Sequence, residues 1–233
     1  MKKNILYTIT ALLFTFCTYA QAPRAWYASV GASQTELKSS DLLADPGFGY
    51  KLGLIFSMGY HESYNYQVEL GLNQRMFNLK AVDNTYQNVS EVKYTSGTLD
   101  LGAYFNYYVL KPDQDTFFVG PQAGFNVGFL GEFTPAQGAD VSDKYYLPYL
   151  LEENSFGNMS KVNFDLGVGL TGGYNNLKFD LRYTLGMNNR LKGVEMNSYD
   201  DNHRYTGKEL EGKLNSVSLS VSYVILKRIK KSR

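Results

Sequence analysis

The sequence predicts an all-β protein, an eight-stranded antiparallel up-and-down transmembrane β-barrel. Three observations carry this prediction. Apolar and polar residues alternate through eight long segments, which is the pattern of strands with one oily face. The connections between these segments alternate between short and long, as they do in outer-membrane barrels. After the first twenty residues no stretch contains 18 consecutive apolar residues, so no transmembrane helix is predicted.

The clearest hairpin runs from Val162 to Met187. Mostly apolar residues occupy every second position from Val162 to Tyr174, and the alternation resumes from Leu177 to Met187. The connection Asn175–Asn176 predicts a type I′ turn, because asparagine tolerates positive φ. Strands of about 10 residues are typical of membrane barrels, whereas about 5–6 residues is usual elsewhere.

Six further segments show the same alternation. They are Trp26–Ser33, Phe48–Ser57, Tyr64–Phe77, Tyr94–Val109, Thr116–Phe129 and Lys213–Ile225. Pro121 falls on the outward face of the fifth predicted strand. Because proline cannot donate a ladder hydrogen bond, we expect a bulge there.

The connections give the predicted barrel its orientation. Those after the second, fourth and sixth strands are short, at 58–63, 110–115 and 175–176, and the others are long, at 34–47, 78–93, 130–160 and 188–212. Outer-membrane barrels have short periplasmic turns and long external loops. An even strand number then puts both termini in the periplasm, and the predicted location is the cell outer membrane.

The N-terminus has the features of an export signal. Two lysines precede an apolar run from Ile5 to Phe16, and small residues stand at −3 and −1 of a cleavage site after Ala20. An alternative is a lipoprotein signal at Cys17, although Phe16 is bulky where a small residue is required. The predicted organisation is a signal peptide at 1–20, a barrel at 21–226 and a basic periplasmic tail at 227–233.

Composition excludes several functions. Cleavage after residue 20 leaves 213 residues without cysteine, so neither a disulfide nor thiol catalysis is expected. Loss of two lysines with the signal changes the net charge from +1 to −1, and no nucleic acid partner is expected. The basic tail either contacts anionic headgroups, cell-wall polymer or a partner, or is a solvated end.

Aromatic residues gather where the predicted strands meet the short turns. They are Trp26, Tyr64, Tyr66, Tyr107, Phe117, Tyr174 and Tyr223. Such residues form an interfacial girdle in membrane barrels. The alternative is a soluble barrel of lipocalin type, with aromatics inside and charges outside. Long strands, and glycine and serine on the polar face, favour the membrane barrel.

Eight charged residues fall on the face that would point into the lumen. They are Lys51, Glu69, Arg75, Asp100, Asp165, Lys178, Asp180 and Arg182. The interior of an eight-stranded barrel is just wide enough for side chains to fill, and buried charges there must pair. Because four are positive and four negative, we predict a closed, self-paired lumen. The alternative is a narrow water or proton path, or a cluster that rearranges when a partner binds.

Catalytic and metal signals are weak. The only histidines are His61, in a predicted periplasmic turn, and His203, in the last external loop beside Asp200 and Asp201. No serine motif accompanies them, so no catalytic residues, metal site or cofactor are predicted. Loop 130–160 carries acidic residues that could gather a divalent cation, but their spacing does not match an EF-hand. They are Glu132, Asp140, Asp143, Glu152 and Glu153.

Loop 130–160 is also unusually aromatic. It contains Phe133, Tyr145, Tyr146, Leu147, Tyr149, Leu150, Leu151 and Phe156. A long loop of this composition is not expected to be fully solvated. Two interpretations remain open: the loop folds over the barrel mouth, or it binds a protein partner.

The layout resembles the PorT-like outer-membrane β-barrel family. The likeness lies in a signal that ends TYAQ, eight long strands rich in glycine and tyrosine, and a closing strand of the SLSVSYVIL type. Here Val224, Ile225, Leu226 and the basic tail follow Tyr223, so the chain departs from a simple terminal aromatic signal. The resemblance implies a barrel; PorT itself is tied to a protein-secretion system.

The predicted function is a non-enzymatic structural or interaction role through external loops. The alternatives are a small pore or secretion-accessory barrel, and a lipid-modifying enzyme that depends on His203. The expected partners are outer-membrane lipid and lipopolysaccharide, the barrel-assembly machinery during insertion, and a protein at loop 130–160. The barrel is expected to be a monomer.

Overall fold

The structure is a computed structural model, and it describes residues 25–61, 63–83, 85, 88–110, 117–137, 139, 141, 144–147, 159–196 and 208–227. The predicted signal peptide and residues 228–233 of the predicted tail lie outside this part of the chain. Its strands are β1 (Ala25–Ser39), β2 (Ala44–His61), β3 (Tyr64–Val82), β4 (Val89–Tyr107), β5 (Phe118–Leu130), β6 (Thr134–Pro135), β7 (Tyr145–Tyr146), β8 (Val162–Tyr174), β9 (Leu177–Gly186), β10 (Glu195–Met196), β11 (Lys208–Glu209) and β12 (Gly212–Lys227). No helix within the described ranges is long and apolar enough to span a membrane.

The eight long strands close into a ring. They pair antiparallel in the order β1, β2, β3, β4, β5, β8, β9 and β12, and β12 pairs with β1. The four two-residue strands lie in the connections. The predicted all-β, eight-stranded, up-and-down barrel is therefore confirmed.

Side chains alternate between the lumen and the outside along each barrel strand. In β9 the residues alternate strictly between exposed and buried. The odd-numbered residues from Leu177 to Leu185 point outward, and the even-numbered residues from Lys178 to Gly186 point inward. The strand has 10 residues, which cover about 23 Å at ~3.3 Å per residue and a tilt of ~45°. The outward apolar band therefore has about the height of the apolar band of outer-membrane barrels, ~25 Å.

Two of the predicted long loops are mostly strand. β1 continues to Ser39, β3 continues to Val82, and β4 already begins at Val89. The predicted loops 34–47 and 78–93 were therefore wrong, and the connections are 40–43 and 83–88. These strands keep their pairing beyond the outward apolar band, with Lys38 opposite Lys213 and Lys80 opposite Glu91. The connections after β5 and β9 are long, as expected.

Two local predictions differ in detail. The turn between β8 and β9 has two residues, but only Asn175 has positive φ, 53°, among the described non-glycine residues. A type I′ turn needs positive φ at both central residues, so that prediction was wrong.

Near Pro121 the β4–β5 ladder ends at Asn106–Gln122, and an isolated bridge joins Leu110 to Val119. An unchanged register would pair Leu110 with Phe118, so the ladder slips by one residue there, while the β5–β8 ladder continues through Pro121.

Candidate functional site

An ion pair crosses the lumen between opposite strands. Glu69 lies on β3 and Arg182 on β9, and these strands are four places apart in the ring of eight. The Arg182 Nη1 and Nη2 atoms donate to the Glu69 carboxylate at 2.8 and 2.7 Å. Lys51 Nζ lies 3.3 Å from the same carboxylate. Because both arginine and glutamate are buried, this bidentate pair blocks the centre of the barrel.

Polar side chains continue this network toward the short-turn end. Lys178 Nζ lies 2.9 Å from an Asp180 oxygen and donates to Gln67 Oε1 at 2.5 Å. Gln67 in turn donates to Glu69. Gln122 donates to Asp180 at 3.2 Å and accepts from Arg182 at 2.9 Å. Each of these five side chains is at least nine-tenths buried, and together they make one continuous network with Arg182.

A second group of charges lies toward the long-loop end. Arg75 Nη2 lies 3.0 Å from Asp100 Oδ2 and 3.1 Å from Asp165 Oδ2. Asn73 donates to Asp100, and Asn163 donates to Asp165. Thus all eight charged residues selected from the sequence point inward, and each has an opposite charge within 3.3 Å.

Tyr104 fills the lumen beside Arg182. The Arg182 guanidinium carbon lies 3.5 Å from the centre of the Tyr104 ring, a cation–π contact. Glycines of β5 and β8 also lie close to the ring. A Cβ on Gly124 would come within 2.1 Å of the Ala103 carbonyl oxygen and 2.6 Å of the ring, and a Cβ on Gly167 would come within 2.8 Å of the ring. Glycine at both positions therefore makes room for the ring. Tyr104 was not predicted from the sequence.

A small polar chamber lies in the lumen, and its lining residues come from β1, β2, β3, β4, β5, β9 and β12. Its lining includes Ser33, Thr35, Arg182, Ser216 and Ser218. It has room for water molecules but not for a sugar or an amino acid. In this chamber the lumen side chains therefore leave room only for water.

An apolar core closes the long-loop end of the barrel; we call it the cap core. It consists of Leu37, Leu42, Phe77, Leu79, Ala81, Val92, Tyr94, Phe133, Tyr146, Met159, Leu191, Val194, Leu210 and Leu214. The side chains of Phe77 and Phe133 stack edge to face at 4.8 Å, and Tyr94 donates a 2.6 Å hydrogen bond to Tyr146 within it. The cap core was not predicted from the sequence. The sequence does carry a signal for it, because the inward positions of β1 change from polar to apolar after Thr35.

The described part of loop 130–160 lies across this end. Thr134–Pro135 pairs with Tyr94–Thr95 on β4, and Tyr145–Tyr146 pairs with Ala81–Val82 on β3. Phe133 and Tyr146 are buried in the cap core. For these residues, the structure agrees with the interpretation that the loop folds over the mouth. Tyr149, Leu150, Leu151 and Phe156 lie outside the described residues.

Arg190 lies under the cap core and was not among the predicted lumen charges. It is 1% exposed, and its guanidinium carbon lies 4.9 Å from the Phe133 ring centre. It donates one long bond, of 3.5 Å, to the Gly131 carbonyl, and its Nε and Nη1 have no partner among the described residues. Burial and the nearby Arg75 guanidinium lower the pKa of Arg190 to about 10.

The family profile of the outer membrane protein beta-barrel domain matches residues 19–192. The chain belongs to this family. It is therefore an outer-membrane protein, as the sequence predicts, and the family match does not extend to the PorT-like group. A comparison with curated proteins found no match for the chain.

Three solved structures resemble this outer-membrane barrel. Neisserial surface protein A is 10% identical, over 85% of this chain and 96% of its own, with a TM-score of 0.44. The attachment invasion locus protein Ail of Yersinia pestis, in complex with the heparin analogue sucrose octasulfate, is 13% identical over 86% and 99%, with a TM-score of 0.42. The outer membrane protein OprG from Pseudomonas aeruginosa is 10% identical over 88% and 94%, with a TM-score of 0.46.

The predicted girdle aromatics lie at the short-turn end of this outer-membrane barrel. Six are exposed on the outer surface: Trp26, Tyr66, Tyr107, Phe117, Tyr174 and Tyr223. Tyr64 is half-buried, because its ring packs against Phe105 at 5.8 Å and Tyr66 at 6.2 Å. These positions are compatible with a headgroup girdle.

The weak catalytic and metal candidates do not form a site in the described part of the chain. There, no group of three histidine, cysteine, aspartate or glutamate residues could hold a metal ion. Glu132 instead lies 3.7 Å from Lys161. Outside the described residues lie His203, Asp200, Asp201, Asp140, Asp143, Glu152 and Glu153.

Proposed function

We propose that this protein is a non-enzymatic membrane anchor, a closed barrel that holds an ordered external cap for contact with a partner or the cell surface. The observation that carries the proposal is the buried bidentate contact between Glu69 and Arg182 across the lumen. A contact between opposite strands occupies the diameter through which a solute would pass. A conducting pore would instead keep a water-filled path, usually lined by charges of one sign.

The cap core supports the second half of the proposal. An external loop that served only as a solvated connection would not need buried aromatic residues. Here Phe133 and Tyr146 are pinned against strands β3 and β4 by packing and backbone bridges. The described residues of this loop are thus held in a fixed arrangement, and recognition by a preorganised surface avoids the entropy of ordering a loop on binding. The PorT-like affiliation remains part of this proposal and rests on the sequence features given above.

Electrical recording from planar bilayers tests whether the lumen is closed. We expect no resolved single-channel current from the wild-type barrel, inserted alongside a known porin as a positive control. The double variant Glu69→Ala/Arg182→Ala removes the cross-lumen contact and reports whether the cap core alone blocks ions. Discrete currents from the folded wild-type protein would refute the anchor and favour the small-pore alternative.

Cysteine labelling of intact cells tests which end faces outward. Lys192 lies in a long loop and Asn176 in a short turn, and both are exposed. The predicted mature chain contains no cysteine of its own. We expect a membrane-impermeant maleimide to label Lys192→Cys in intact cells and to label Asn176→Cys only after lysis. The reverse pattern would invert the barrel and remove the cap from the cell surface.

A further inference from the structure

Four residues that line the chamber carry buried polar atoms without a partner among the described residues. Thr35 Oγ1, Asn73 Oδ1, Asp100 Oδ1 and Arg182 Nε all belong to residues that line it. None of these four atoms has a hydrogen-bond partner among the described residues. Thr35 is 0%, Arg182 3% and Asp100 5% exposed. Since buried polar groups in native proteins are almost always bonded to protein or ordered water, these atoms point to a ligand.

Each of the two ion-pair groups contains a chamber-lining residue with a charged-group atom that has no hydrogen-bond partner among the described residues. Arg182 uses three of its five N–H donors on Glu69 and Gln122, and Nε is its one nitrogen without a partner among the described residues. Asp100 commits Oδ2 to Arg75 and Asn73, so Oδ1 is its remaining acceptor. A molecule in the chamber that both donates and accepts hydrogen bonds would connect the two groups.

We propose that the chamber binds ordered water that bridges Asp100 and Asn73 to Thr35 and Arg182. Water fits both the size of the chamber and the mixture of donors and acceptors. A cation in the chamber would be repelled by Arg75, Arg182 and Lys51, which also line it. An anion would be repelled by the Asp100 oxygen that has no partner among the described residues. The inference does not depend on the proposed anchoring function.

The variant Thr35→Val tests the proposal, because valine has nearly the shape of threonine and lacks the hydroxyl. If Thr35 binds water, its replacement removes a hydrogen bond and lowers the midpoint of thermal unfolding by several degrees. If the hydroxyl has no partner, the replacement leaves the midpoint unchanged or raises it, since a buried unpaired polar atom is removed.

Thr171 provides the matched control. It lies inward on β8, is 1% exposed, and its Oγ1 also has no partner among the described residues, but it does not line the chamber. We expect Thr171→Val to leave the midpoint unchanged or raise it. Equal behaviour of the two variants would overturn the proposal.

A crystal structure of the wild-type barrel keeps the test decisive if Thr35→Val fails to fold. Water peaks within hydrogen-bond distance of Thr35 Oγ1, Asp100 Oδ1 and Arg182 Nε would support the proposal. An anomalous peak in the chamber after a soak in rubidium bromide would assign it to an ion and overturn it. A chamber without density in well-ordered surroundings would also overturn it.

Discussion

Replacement of Glu69 by glutamine should destabilise the barrel strongly. The carboxylate is 5% exposed and lies within 3.3 Å of both Arg182 and Lys51. Removal of one partner from a buried ion pair costs about 3–5 kcal/mol, because the other charge stays buried without compensation. Arg182 keeps Gln122 and the Tyr104 ring, and glutamine keeps one acceptor, so we expect about 3–4 kcal/mol. For a chain of this length that corresponds to about 6–16 °C in the unfolding midpoint.

The assay is urea unfolding in detergent micelles, followed by the gel mobility shift between folded and boiled chains. Glu36→Gln is the control, because Glu36 is exposed on β1 outside the lumen and its replacement should change the free energy of unfolding by less than about 0.5 kcal/mol. A double-mutant cycle with Arg182→Gln should give a coupling energy of about 2 kcal/mol or more. If Glu69→Gln and Glu36→Gln unfold at the same urea concentration, the cross-lumen pair does not stabilise the barrel.

Three further predictions concern the lumen and the cap. Tyr104→Ala should cost about 3–5 kcal/mol of unfolding free energy, because the packing of the ring is lost. Tyr104→Phe should be nearly neutral, because the hydroxyl has no partner among the described residues. Equal losses of the two variants in urea unfolding would contradict this. Gly124→Val should reduce the folded fraction on the gel more than Ala123→Val, which faces outward beside it, because only the first meets the Ala103 carbonyl and the Tyr104 ring. Arg190→Met should be neutral or stabilising by up to about 3 kcal/mol below pH 10. Because the folded-state pKa is lowered to about 10, the wild type should gain stability relative to this variant as the pH rises above 10, and a constant difference from pH 8 to 11 would refute that.

The lumen residues could be predicted because the strand repeat assigns each residue to one face. Once β3 and β9 were recognised as strands with an apolar outer face, Glu69 and Arg182 had to point inward. Charge balance then predicted that the inward charges pair. The sequence did not reveal which pairs form, since that depends on strand stagger and tilt in the closed ring. Nor did it reveal Tyr104, because an inward tyrosine is only accommodated where glycines from two other strands face it.

The cap core was missed for a physical reason. The prediction assumed that apolar residues face outward along a whole strand, which holds only where lipid surrounds it. Beyond the lipid, Glu36 and Lys38 face water and Leu37 faces inward. On β3 Phe77 and Leu79 likewise alternate with Asn78 and Lys80. The reversal broke the expected pattern, so these segments were predicted as loops, although the period of two continued through them.

The contact between Glu69 and Arg182 also has a consequence for barrel assembly. The two residues are 113 positions apart in the chain and lie on opposite walls, so they meet only when the ring is nearly complete. Until then each charge requires water, and its transfer into lipid on an open sheet would be costly. Insertion, ring closure and removal of water from the lumen are therefore coupled in this chain, and a partly assembled sheet should be an unstable species rather than a stable intermediate.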